Sequence, residues 1–120
     1  MFRFLGLTAV QEKAVQAVQE KHRPVLMAGH RLLGERAAAL RDGLENPALS
    51  ESQLRALLTA ENEARLQLAL EQRASFQESF ALLSAGQQAK AVRLGQKRQK
   101  EREARRDVME EEGLPAGPGQ

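Results

Sequence analysis

From Glu51 to Leu82 the chain runs without a glycine or a proline. An unbroken helix over that stretch, rising 1.5 Å per residue, would be about 48 Å long. A compact globule of 120 residues would be only ~35 Å across, from a radius of gyration of roughly 13–14 Å. The helix does not fit inside such a globule, so the sequence predicts an elongated helical hairpin. Composition points the same way. Fourteen Glu stand against two Asp, and there are four Phe but no Trp or Tyr. Glu tolerates helix interiors, whereas Asp competes for the backbone, and a sheet would need more aromatic and β-branched residues than this chain has. The expected class is all-α.

Three copies of one local pattern mark where helices begin: Leu7-Thr8-Ala9-Val10-Gln11, Leu49-Ser50-Glu51-Ser52-Gln53 and Leu83-Ser84-Ala85-Gly86-Gln87. Each is a capping box. The hydroxyl of the first polar residue accepts a bond from the N3 amide, and the N3 Gln reaches back to the cap amide. Only the middle copy has an apolar residue at N4, Leu54, that can staple against Leu49. Leu7 and Leu83 must find burial elsewhere. Val10, Ala14, Val15 and Val18 form one stripe of the first helix. Pro24 removes an amide and crowds the preceding turn, and is well placed to open a new helix. The expectation is therefore helices at about 8–22 and 24–42, the alternative being one long helix kinked at Pro24. A third helix follows over Glu51 to about Leu82 and a fourth from Ser84, making a four-helix, hairpin-like protomer. The third helix carries Leu54, Leu57, Leu58, Leu68, Phe76, Phe80 and Leu83 on one side and Leu66, Leu70 and Ala74 on an adjoining one. A hairpin partner can cover the first stripe, and the second invites another chain, so a hairpin that dimerises is expected.

The fourth helix loses its apolar content after Leu94. Between Lys90 and Arg106 lie eight Lys/Arg against Glu101 and Glu103, a local net of +6. The sign reverses at Glu110-Glu111-Glu112, and the chain ends in Gly113-Leu114-Pro115-Ala116-Gly117-Pro118-Gly119-Gln120. The expected organisation is one helical domain over 1–112 and a disordered tail over 113–120.

The paired Leu-[Thr/Ser]-x-x-Gln boxes, one near the start and one in the second half, resemble the LTxxQ repeats of the Spy/CpxP family of bacterial periplasmic stress proteins, relatives of the CnrX-type heavy-metal sensors. The first match is Met1-Phe2-Arg3-Phe4-Leu5-Gly6-Leu7-Thr8-Ala9-Val10-Gln11. The second is Phe80-Ala81-Leu82-Leu83-Ser84-Ala85-Gly86-Gln87-Gln88-Ala89-Lys90, with Ser84 for the usual Thr and Gly86 just before the Gln. The resemblance implies a cradle-shaped antiparallel homodimer in the periplasm. It also implies ATP-independent binding of unfolded clients, or an adaptor role on the periplasmic domain of a sensor kinase. Leu7, Thr8, Gln11, Leu83, Ser84 and Gln87 themselves read first as helix caps. A metal-responsive sensor of the same fold is the nearest alternative, and a cytoplasmic helical protein gripping a nucleic-acid backbone is an alternative of another class.

The candidate sites are few. Glu20, His22, Met27 and His30 are the only constellation of metal-ligating residues. On a continuous helix His22 and His30 stand about 12 Å apart, too far to share one ion, so the expectation is two partly exposed histidines and no metal. No cofactor is expected. With two His, five Ser and two Asp, and no nucleophile elbow or phosphate loop, nothing supports catalysis. Without cysteine there is no disulfide, thiolate or zinc–thiolate chemistry. No stretch approaches the roughly 20 apolar residues of a membrane span. Met1 is followed directly by Phe2-Arg3-Phe4 with no leader-like apolar run, so a periplasmic reading expects a leader missing from this chain. Lys90, Arg93, Lys97, Arg98, Lys100 and Arg102 are the candidate contact residues for acidic or unfolded clients. No aromatic residue follows Phe80, so base stacking is not available there and nucleic acid is the weaker partner.

Overall fold

The computed structural model describes residues 2–111, which contain three α-helices and no strand. These are α1, Ala9–Leu44; α2, Glu51–Phe80; and α3, Ala85–Glu111. The expected all-α class is what forms. The tail expected over 113–120 lies outside the described residues. The chain divides into two compact units. Thr8–Leu82 is one, and the segments before and after it supply the other.

All three predicted caps are present. Thr8 accepts from the Gln11 amide at 3.1 Å while Gln11 Oε1 accepts from the Thr8 amide at 3.0 Å. Ser50 and Gln53 do the same at 3.1 and 2.8 Å, and Ser84 and Gln87 at 3.2 and 2.9 Å. Pro24 does not end a helix. It sits inside α1, so the alternative of one long helix through Pro24 forms in place of two over 8–22 and 24–42, and the described residues hold three helices rather than four. Proline costs a helix one hydrogen bond, and packing against a second helix compensates for it.

The Thr8–Leu82 unit is an antiparallel hairpin of α1 and α2. Most of its less exposed positions alternate by three and four residues, with Ala14, Ala37, Ala38, Ala60, Ala74, Ser79 and Phe80 flanking them. On α2 they are Leu54, Leu57, Glu61, Ala64, Leu68, Glu71, Ser75 and Glu78. On α1 they are Gln11, Val15, Val18, His22, Leu26, Gly29, Leu33, Arg36, Leu40 and Gly43. That is the seam of a two-stranded coil. On α1 the alternation slips once, with two steps of four across Val18, His22 and Leu26, the turn that holds Pro24. Helices approach closely where side chains are small. A Cβ on Gly29 would stand 3.1 Å from Leu68 Cδ1, and one on Gly43 would stand 2.6 Å from Leu57 Cδ1. Ser75 and Ser79 are buried as well.

The seam differs from the apolar stripe read along the third helix. Leu58 and Phe76, expected on its core side, are 47% and 40% exposed, and the buried apolar residues of α2 are Ala64 and Leu68. A seam that repeats every seven residues drifts away from a straight 3.6-residue stripe, which here moves Glu and Ser inward and Leu and Phe outward. The loop closing the hairpin is short. Glu45 caps α1 through Asp42 and Gly43, Asn46 Oδ1 accepts from the Ala48 amide at 3.0 Å, and Ser50 opens α2.

In the other unit Phe2, Leu5 and Leu83 are buried and Leu7 is half-buried. Gly6 turns the chain with φ of 64°, a conformation that favours glycine. From Gly95 to Glu111 every residue of α3 is exposed. No helix among the described residues is long and apolar enough to cross a membrane.

Candidate functional site

The first and third boxes do more than cap their helices. A box glutamine uses its oxygen on the cap amide, which leaves its NH2 group free to donate elsewhere. Gln11 Nε2 donates to the Leu82 carbonyl at 3.4 Å, across the base of the hairpin. In the other unit Gln87 Nε2 donates to the carbonyls of Leu5 and Gly6, both at 3.4 Å. Each glutamine therefore reaches the backbone just ahead, in sequence, of the other box. Single-box capping gives no reason for that pairing.

A polar cluster lies in the seam near Pro24. His22 is buried, with 6% of its surface exposed. Its Nδ1 lies 2.8 Å from Glu71 Oε1 and its Nε2 3.0 Å from Glu78 Oε1. Lys21 Nζ holds the same Glu78 carboxylate at 3.1 Å. A carboxylate only accepts, so a ring placed between two of them donates from both nitrogens only as the imidazolium. The Glu71 hydrogen bond is the largest influence raising the His22 pKa above its ordinary 6.5. Burial opposes it, and the Glu78 bond and both carboxylate charges add to it. Glu78 is held below the ordinary carboxylate value, first by Lys21 and then by His22.

The residues considered for metal are not brought together. The ring nitrogens of His22 face two different carboxylates, Glu20 pairs with Arg23 at 2.8 Å, Met27 is 56% exposed, and His30 is exposed. Among the described residues no three His, Cys, Asp or Glu side chains could hold one metal ion between them. The expectation of a partly exposed His22 is corrected: it is buried because Glu71 and Glu78, 49 and 56 residues away, close over it. Its seven-residue spacing from Val15 and Gly29 was the available signal.

Two surfaces remain open. On the hairpin, a shallow groove of about 330 Å³ is lined by Leu32, Arg36, Glu63, Ala64, Leu66 and Gln67. Arg36 is fixed there by donating to the Ala60 carbonyl at 2.9 Å. On α3, Lys90, Arg93, Lys97 and Lys100 fall on one face by their spacing, and Arg98, Arg102 and Arg105 on another; all seven are exposed. Half-buried Leu94 lies between the two rows. This arrangement can attract anions and polyanionic chains. The chain matches no family model, no curated protein and no solved structure.

Proposed function

We propose that the protein is an ATP-independent, periplasmic client-binding chaperone or stress-response adaptor of the Spy/CpxP kind, acting as a homodimer without a cofactor. The observation that carries this reading is the pair of boxes whose glutamines, after capping their own helices, each donate to the backbone ahead of the other box. That ties the two motifs to one another's helix starts, which isolated caps would not do.

The surfaces supply a means of binding. The hairpin leaves Val25, Met27, Leu32, Leu58, Leu66 and Leu70 exposed, which suits weak, adaptable contact with apolar segments of unfolded chains. The basic rows of α3 would by themselves attract acidic clients. Charge of this kind raises the rate of encounter more than the final affinity, and it is screened beyond about 8 Å at physiological salt. A fluorescently labelled, unfolded acidic client tests this by stopped-flow anisotropy. Binding should be slower for a variant with Lys97, Arg98, Lys100 and Arg102 changed to Gln at low salt, and equal for the two proteins at high salt. Equal rates at every salt concentration would reduce α3 to a solvated helix.

A further inference from the structure

We propose that His22 is a pH-operated latch: its deprotonation releases the amino-terminal half of α1 from the carboxy-terminal half of α2. The geometry carries the case. His22 sits in the seam with both nitrogens against carboxylates, at 2.8 Å from Glu71 and 3.0 Å from Glu78. Removing one proton turns a hydrogen bond into a lone pair facing a carboxylate oxygen. The level then holds two half-buried acids and one remaining cation, Lys21, which stays on Glu78. Only one of the two carboxylates then keeps a hydrogen bond from the ring. Among the described residues Glu71 and Glu78 are the charges that act on the ring: Glu20 and Arg23 pair with each other on α1, and the seam neighbours Val18, Leu26 and Ser75 carry no charge.

The latch is placed where the hairpin is weakest. Pro24, two residues on, deprives α1 of one backbone hydrogen bond, and the seam alternation slips at the same turn. Below it, toward the box of Thr8, the buried and half-buried positions are Ala14, Val15, Val18, Ala74, Ser75, Ser79 and Phe80 among others, with no leucine. Above it, Gly29 meets Leu68, and Gly43 is enclosed by Leu49, Leu54 and Leu57. An ionic clamp at the boundary of a thin half and a well-packed half lets one half open alone.

Amide hydrogen exchange of the whole chain, read as protection factors between pH 6 and 9, tests the proposal. Protection in 10–22 and 70–80 should fall by roughly tenfold for each unit that separates the His22 pKa in the hairpin from the ordinary value, and then level off. Protection in 29–43 and 53–64 should hold. With His30→Gln, His22 is the only histidine, and its ring resonances should titrate above 6.5. His22→Gln, which cannot ionise, should abolish the pH dependence of protection. Should that variant not fold, Glu71→Gln removes one clamping charge and must move the opening to lower pH. Titration at or below 6.5, an equal loss of protection in both halves, an unaltered pH dependence in His22→Gln, or an unmoved midpoint in Glu71→Gln would each overturn the latch.

Discussion

Three glycines of α1 give a graded test of how the hairpin packs. A Cβ on Gly34 meets nothing within 4 Å, so Gly34→Ala adds only helix propensity, about 1 kcal/mol of stabilisation. On Gly29 the new methyl would stand 3.1 Å from Leu68 Cδ1, a contact that absorbs much of the same gain. On Gly43 it would stand 2.6 Å from Leu57 Cδ1, 3.1 Å from Leu49 Cδ1 and 3.5 Å from Leu54 Cδ2. Three leucines crowd the same methyl, so relief of one contact leaves the others. Overpacking of this kind costs roughly 1–3 kcal/mol, and near the end of a helix the propensity gain is smaller, so a net loss of about 1–2 kcal/mol is expected for Gly43→Ala. For a unit of this size, each kcal/mol moves the Tm by about 4–8 °C. Thermal melts followed by circular dichroism should therefore rank Gly34→Ala above wild type, Gly29→Ala near it, and Gly43→Ala below it by about 4–16 °C. A Gly43→Ala protein as stable as wild type would refute the close approach of α1 and α2 at that level, and with it the seam.

Hairpin stability should peak in a defined pH window. The raised pKa of His22 contributes stability that is complete below its ordinary 6.5 and lost as pH rises through its higher folded value, whereas the lowered pKa of Glu78 contributes stability complete above its ordinary 4.5 and lost as pH falls through its lower folded value; urea midpoints should therefore be highest between these two ordinary values. The exposed apolar residues on the hairpin predict self-association, and light scattering at micromolar concentration should give about twice the 13.3 kDa chain mass, with a persistent monomer counting against the dimer. Thr8→Ala, which removes the acceptor of the Gln11 amide, should cost about 1 kcal/mol in urea melts, as N-cap losses do.

The helix starts were legible because a capping box is a local object. Thr8/Gln11, Ser50/Gln53 and Ser84/Gln87 each complete their bonds within four residues, and no distant contact can override them. At Pro24 the sequence left two helices and one long helix both open, since a proline's local preference can be outweighed by a partner helix that only the folded hairpin supplies. The seam was misread for a related reason. Counting apolar residues favoured Leu58 and Phe76, but close approach selects small residues and a seven-residue repeat, visible in Val15, His22, Gly29, Arg36 and Gly43 and in Leu54, Glu61, Leu68 and Ser75. The onward bonds of Gln11 and Gln87 span 71 residues or more, and the box pattern alone gave them no partner. The basic residues of α3 were legible as a group, because exposed charge needs no tertiary context to be counted.

Suppression of aggregation of a reduced, acidic client, in the absence of nucleotide and metal, tests the proposed function most directly. Stoichiometric protein should delay the rise in light scattering and lower its plateau, and the delay should shorten as salt is raised. Aggregation as fast as with an equal mass of an inert protein, at low as well as high salt, would contradict the client-binding reading.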